Sequence, residues 1–129
     1  MLAPATAGVA LGWTLARRLG LPLVLADVGA DGRAYAVHDR DSLPERRTLL
    51  VNDVVTTGRG MAALARVATD AGATVAGATW FLSRGSVDVT ETIGAPVSYV
   101  GDLLLSHWSP ASCPLCARRE PLTRALEIN

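Results

Sequence analysis

The densest run of groups suited to chemistry in the sequence is Asn52, Asp53, Thr56, Thr57, Gly58, Arg59 and Gly60. Two residues with side-chain acceptors come first, two hydroxyls follow, and two glycines flank an arginine ahead of an Ala-rich segment. The apolar residues just before this run read as a strand, residues 56–60 as a tight turn, and the segment from Met61 onward as a helix. Successive backbone N–H groups in such a turn, together with the positive end of the helix, make a nest of phosphate size, and threonine hydroxyls add uncharged donors. Asn52 and Asp53, just ahead of the nest, are placed to accept hydrogen bonds from vicinal hydroxyls one sugar away from the phosphate. A sugar 5-phosphate suits the pattern. The plain alternative is an ordinary strand-to-helix connection in which Asp53 caps the turn. A Walker A loop is excluded, because the Gly-x4-Gly-Lys-Ser/Thr pattern is absent.

The rest of the chain must position these groups. Its 129 residues, 50% hydrophobic and 19% charged, describe one folded domain packed largely by Ala, Val and Leu. A formal charge of +0 gives no bulk attraction for nucleic acid or an anionic membrane, and neither partner is expected. The sequence contains no Lys, which closes ammonium-based catalysis to it. No apolar run approaches the roughly 20 residues that span a bilayer, and a cytoplasmic protein is expected.

In order, residues 7–20 predict a helix with Leu11, Leu15 and Leu19 at four-residue spacing, beside the small residues Gly12 and Ala16 that admit a sheet closely. Residues 21–28 predict a buried parallel-type strand, and residues 29–32 a turn. Residues 33–39 alternate weakly, as an edge strand does, before a polar connection at 40–47. The strand ending at Asn52 and the helix with Met61, Leu64, Ala65 and Ala68 on one face follow, then a buried strand at 73–82 and a turn at 83–86. A short helix at 88–93 and a last strand at 96–100 lead into a tail from 103 to 129. Alternating strands and helices imply an α/β fold, three layers deep, with a mostly parallel sheet.

The segment Leu50-Val51-Asn52-Asp53-Val54-Val55-Thr56-Thr57-Gly58 resembles the phosphoribosyl-diphosphate (PRPP) signature of type I phosphoribosyltransferases. Ala5, Thr6, Ala7 and Gly8 resemble the diphosphate-binding loop of that family. Ser83-Arg84-Gly85 stands where members carry base-facing residues. The tail Trp108-Ser109-Pro110-Ala111-Ser112-Cys113-Pro114-Leu115-Cys116, with Pro121-Leu122, is similar to the C-terminus of a branch of orotate phosphoribosyltransferases. The resemblance implies PRPP or a nucleotide monophosphate as ligand and Mg²⁺ as its companion. Asn52 and Asp53 would serve the ribose hydroxyls, Thr56, Thr57, Gly58, Arg59 and Gly60 the 5-phosphate, and Ala5, Thr6, Ala7 and Gly8 the diphosphate. It further implies transfer of the phosphoribosyl group to a nitrogenous base, and a homodimer.

The sequence departs from the family pattern in four ways. Asn52 replaces one of two acids, and Gly60 stands where Thr or Ser is usual. The diphosphate loop carries no base, and the region ahead of the signature offers only Arg33, Arg40, Arg46 and Arg47. Loss of one preorganised donor at an anionic transition state costs about 3–4 kcal/mol. Finally, the chain begins where the family's central first strand should be ending, so the N-terminal strand and hood are expected to be missing. Residues 1–5 as a stub, a homodimer partner, a separate chain completing the sheet, or a start codon assigned too late would each account for the gap. A non-catalytic subunit, structural or regulatory in a larger assembly, is therefore the alternative to an enzyme.

Cys113 and Cys116 form half of a zinc site, with His107 nearby and His38 or acidic residues left to complete it. A packed pair is the preferred reading, with no metal. Trp13, Trp80 and Trp108 are expected in the core or an interface, and Arg118 and Arg119 in solvent.

Overall fold

The computed structural model describes residues 1–30, 33–85, 88–106, 108–109 and 111–121. Asp31, Gly32, Ser86, His107, Pro110 and Leu122, which figure in the sequence reading, lie outside the described residues. In chain order the elements are β1 (Leu2–Pro4), α1 (Gly8–Leu19), β2 (Val24–Val28), β3 (Ala34–Val37) and a 3-10 turn (Arg40–Ser42). After these come β4 (Arg47–Val55), α2 (Arg59–Asp70), β5 (Thr74–Ser83), α3 (Thr90–Ile93), β6 (Val97–Asp102) and α4 (Pro114–Ala117).

One sheet of six strands runs in the order β3-β2-β1-β4-β5-β6. All neighbours are parallel except β3, which returns antiparallel along β2 as the expected edge strand. Helices cover both faces, giving the expected α/β layering. Successive side chains of a strand point to opposite faces, and β1 shows this directly. Leu2 packs with Leu50, Met61, Leu64 and Trp80 in the core beneath α2 and α3, whereas Ala3 joins Ala16 and Val51 beneath α1. The stripe of α1 that meets the sheet is Gly8, Gly12 and Ala16. A Cβ on Gly12 would stand 3.0 Å from that of Ala3, so the small residues do set the close approach. Leu11 and Leu15 flank the stripe, while Leu19 and Trp13 are exposed. Trp80, 1% exposed, anchors the larger core and stacks on Tyr99 with ring centroids 5.3 Å apart.

The expected gap in the centre of the sheet is closed. Leu2–Pro4 lies between β2 and β4, with Leu2 in register with both Val24 and Leu50. Of the alternatives, the short N-terminal stub is the one seen in this row. The strand carrying the signature is also longer than its apolar run suggests. β4 continues through Asn52 and Asp53 to Val55, because pairing with β5 as far as Val55↔Ser83 outweighs the low strand propensity of Asn and Asp. Trp13 and Trp108 are more than half exposed, and of the three tryptophans Trp80 alone lies in the core.

Leu2 is fully buried and Leu19 is 58% exposed. Leu2→Ala is expected to lower unfolding stability by about 2–5 kcal/mol, and Leu19→Ala by no more than about 0.5 kcal/mol. Urea denaturation of both variants checks whether three residues hold the centre of the sheet.

Candidate functional site

The C-terminal ends of the central strands bring two turns to one edge. After β4, Gly58 takes a left-handed conformation with φ 74° and opens α2. Its carbonyl accepts the Ala62 N–H at 2.9 Å, and no side chain caps the first turn. The amides of that turn therefore face a hollow of about 450 Å³ bounded by Asn52, Val54, Val55, the turn residues Thr56, Thr57, Gly58, Arg59 and Gly60, and Met61. Arg59 donates from Nε to Thr57 Oγ1 at 3.3 Å, fixing a hydroxyl and a guanidinium together at the rim. The uncapped start of a 12-residue helix, a pair of threonines and this arginine make a cup for an anion.

The second turn follows β1. The Ala5 N–H is tied to the Ala26 carbonyl at 2.8 Å, and Ala7 opens α1 without a side-chain cap. Gly8, at the start of α1, is packed closely against Pro4 of β1 and Asn52 of β4. A Cβ there would lie 2.8 Å from ring carbons of Pro4 and 3.1 Å from Asn52 Oδ1. Asn52 thus lies against the start of α1 and also lines the cup, linking the residues expected at the diphosphate to those expected at the 5-phosphate. Its own amide makes one long bond, Nδ2 to the Val54 carbonyl at 3.5 Å. Asp53, beside it in β4 and half-buried, does not line the hollow, and neither do Ala5, Thr6, Ala7 and Gly8.

Of the four arginines between the second strand and the signature, the fold brings one to the cup. Arg33 lines the hollow because β3 doubles back along β2, with the Arg33 carbonyl accepting from Gly29 N–H at 2.9 Å. Arg40 donates to the Asp70 carbonyl at the far end of α2, and Arg46 and Arg47 border a separate hollow with Met1 and Pro22. Spacing does not distinguish Arg33 from the others; only the tight β2–β3 return does. Across β2 and β3, His38 Nε2 donates to the Asp27 carboxylate, so this histidine is an exposed, paired group at the sheet edge.

The expected base-facing segment abuts the cup as well. The Arg84 N–H donates to the Val55 carbonyl at 2.7 Å, and Ser83 Oγ donates to the Gly85 carbonyl at 3.2 Å. Ser83 and Gly85 border a second hollow of about 540 Å³, whose wall includes Tyr99, Asp88 and Asp102. Hydrogen bonds from Thr90, through its side chain and then its N–H, hold the Asp88 carboxyl below the usual range. Among the described residues no group of three His, Cys, Asp or Glu side chains is arranged to hold a metal.

A mostly parallel sheet with an uncapped helix start at the end of a central strand, and a second turn at the same edge, defines an α/β protein whose crevice lies beyond the carboxyl ends of its strands. Comparison with known proteins narrows the class. The chain is 30% identical over 122 residues to the orotate phosphoribosyltransferase of Chlorobium phaeobacteroides, covering 95% of this chain and 62% of that protein. It is likewise 30% identical to the orotate phosphoribosyltransferase of Thermus thermophilus, over 95% of this chain and 66% of that one. The chain thus spans less than two thirds of the length of these relatives. Among solved structures, orotate phosphoribosyltransferase from Aeropyrum pernix superposes with a TM-score of 0.65 at 28% identity, over 79% of this chain and 59% of that chain. Adenine phosphoribosyltransferase from Thermoanaerobacter pseudethanolicus shares the fold, with a TM-score of 0.66 over 79% of this chain and 69% of that one, at 21% identity. No protein-family model matches the chain. The chain shares the fold of type I phosphoribosyltransferases and is similar in sequence to their orotate branch.

Two glycines carry the geometry of the site, for different reasons. Gly58→Ala forces a side chain into the left-handed region and is expected to cost about 1–2 kcal/mol. Gly8→Ala, which overpacks Pro4 and Asn52, is expected to cost about 1–3 kcal/mol. Denaturant midpoints of the two variants, read against the native chain, check both values.

Proposed function

We propose that the chain binds PRPP or a nucleotide 5-monophosphate at the cup, and that it takes part in transfer of the phosphoribosyl group to a nitrogenous base. The observation that carries this reading is the contact of Asn52 with the start of α1 while Asn52 also lines the cup. One side chain thereby stands between two helix starts. In this reading the first-turn amides of α2, with Thr56, Thr57, Gly58, Arg59 and Gly60, take the 5-phosphate. Arg33 neutralises its outer oxygens. Asn52 at the rim, with Asp53 beside it, accepts from the ribose hydroxyls, and the turn at Ala5, Thr6, Ala7 and Gly8 offers backbone donors to the diphosphate.

Magnesium in such sites is held by one or two carboxylates together with substrate phosphates. The described residues that line the cup carry no carboxylate, Asn52 having replaced one. They do not make a resident magnesium site, so the ion would arrive only as part of the ligand's phosphate complex.

A second reading, a non-catalytic subunit or a dimer in a larger assembly, draws on exposed apolar side chains. Phe81, Val100, Leu104 and Trp108 are between 50% and 77% exposed on and after the outer strands, and apolar surface of this kind marks contacts between chains.

Calorimetric titration with PRPP, with and without Mg²⁺, tests the binding. The native chain is expected to bind, Arg33→Gln to bind roughly tenfold more weakly through loss of one charged hydrogen bond, and Asp53→Ala to bind more weakly as well. Absence of heat from all three proteins at millimolar ligand would sink the proposal. Unchanged affinity in Asp53→Ala would confine the ribose contact to Asn52.

A further inference from the structure

The packed pair expected of the two cysteines is not what the fold provides. Cys116 is exposed and Cys113 half-exposed, both as free thiols. Cys113 stands just before α4 in extended conformation, φ −75° and ψ 121°, with Pro114 opening the turn and Cys116 within it. Side chains three apart on a helical turn are neighbours, which brings the two thiols to one side of the turn. Bridging requires Cα atoms within about 7 Å, a separation that one such turn satisfies. Among the described residues no third metal ligand joins them.

The two sulfurs are also unequal. The nearby backbone N–H of Cys116, and to a lesser extent that of Leu115, holds the Cys113 thiol below the usual thiol value. Cys116 is raised, chiefly by the neighbouring Cys113 thiol. An attacking thiol needs thiolate character and access, and a resolving thiol needs only to lie within reach.

We propose that Cys113 and Cys116 form a redox-active dithiol that exchanges with small-molecule disulfides and closes to an intramolecular disulfide. The Cys113 thiolate attacks one sulfur of the disulfide, whose S–S bond breaks; the departing thiolate takes a proton from water. Cys116 then gives its proton to solvent and attacks the Cys113 sulfur, releasing the second thiolate, which is protonated in turn. The incoming disulfide is reduced to two thiols, and the protein dithiol is oxidised by two electrons. This site lies in the tail after β6 and does not depend on the ligand assigned to the cup.

Glutathione disulfide serves as the probe, with the full chain followed by mass spectrometry and alkylation of free thiols. The native chain is expected to lose two hydrogens, to carry no glutathione, and to go from two alkylatable cysteines to none. Cys116→Ser is expected to trap one glutathione on Cys113, and Cys113→Ser to react at least roughly tenfold more slowly. Alkylation of Cys113 in Cys116→Ser is expected to persist at lower pH than that of an ordinary thiol. Persistent glutathione adducts on the native chain, two thiols still alkylatable under excess disulfide, or a tightly held zinc ion protecting them would overturn the proposal.

Discussion

The pairing of Leu2 with both Val24 and Leu50 is the constraint on which the rest depends. β4 is a strand nine residues long, and without β1 one of its sides would present unpaired N–H and C=O groups in the middle of the molecule. Leu2 and Ala3, both fully buried, supply side chains to the two opposite cores, so a strand of three residues joins the layers as well as the hydrogen-bond rows. Because β1 runs parallel to β4, both strands release the chain at the same edge. The turn before α1 and the turn before α2 become neighbours for that reason, and Gly8 is small because Pro4 and Asn52 meet there.

Electrostatics at that edge follow from what is left uncapped. No side chain satisfies the first-turn amides of α2, and no acidic residue lies in that turn, so the partial positive charge of the helix end is undiminished. Arg33 and Arg59 border the same hollow and add two full charges in a chain without lysine. Asn52 in place of an acid acts in the same direction. It leaves the hollow without a negative charge at that position while keeping a side-chain oxygen that can accept a hydrogen bond.

The order of elements and the position of the strand-to-helix turn at 56–60 are legible in the sequence because both are local. Apolar periodicity marks α2 and β5, and the Thr-Thr-Gly step marks the turn. Three features are not local. β1 is too short to show a period, and only its neighbours make it a strand. Arg33 is one of four similar arginines until the β2–β3 return carries it to the cup. The exposure of Trp13 depends on which stripe of α1 meets the sheet, and the helix uses Gly8, Gly12 and Ala16 in place of the wider face that Leu11, Leu15 and Leu19 outline. Asp53 shows the same limit in the site. Its place in the motif is plain, yet the described hollow is bordered by Asn52 and Val54 on either side of it.

Binding and turnover make different demands on this edge. A phosphate monoester needs only the cup, which the chain supplies with amides, hydroxyls and two guanidiniums. Cleavage of a bond to diphosphate needs positive charge where the leaving group departs, and each preorganised donor there is worth about 3–4 kcal/mol. Both guanidiniums border the cup at the start of α2, and the turn before α1 offers backbone donors and no cation. Turnover of PRPP would call for positive charge beyond what the described residues of the cup provide. Among the described residues, side-chain positive charge borders the start of α2, and none stands in the turn before α1.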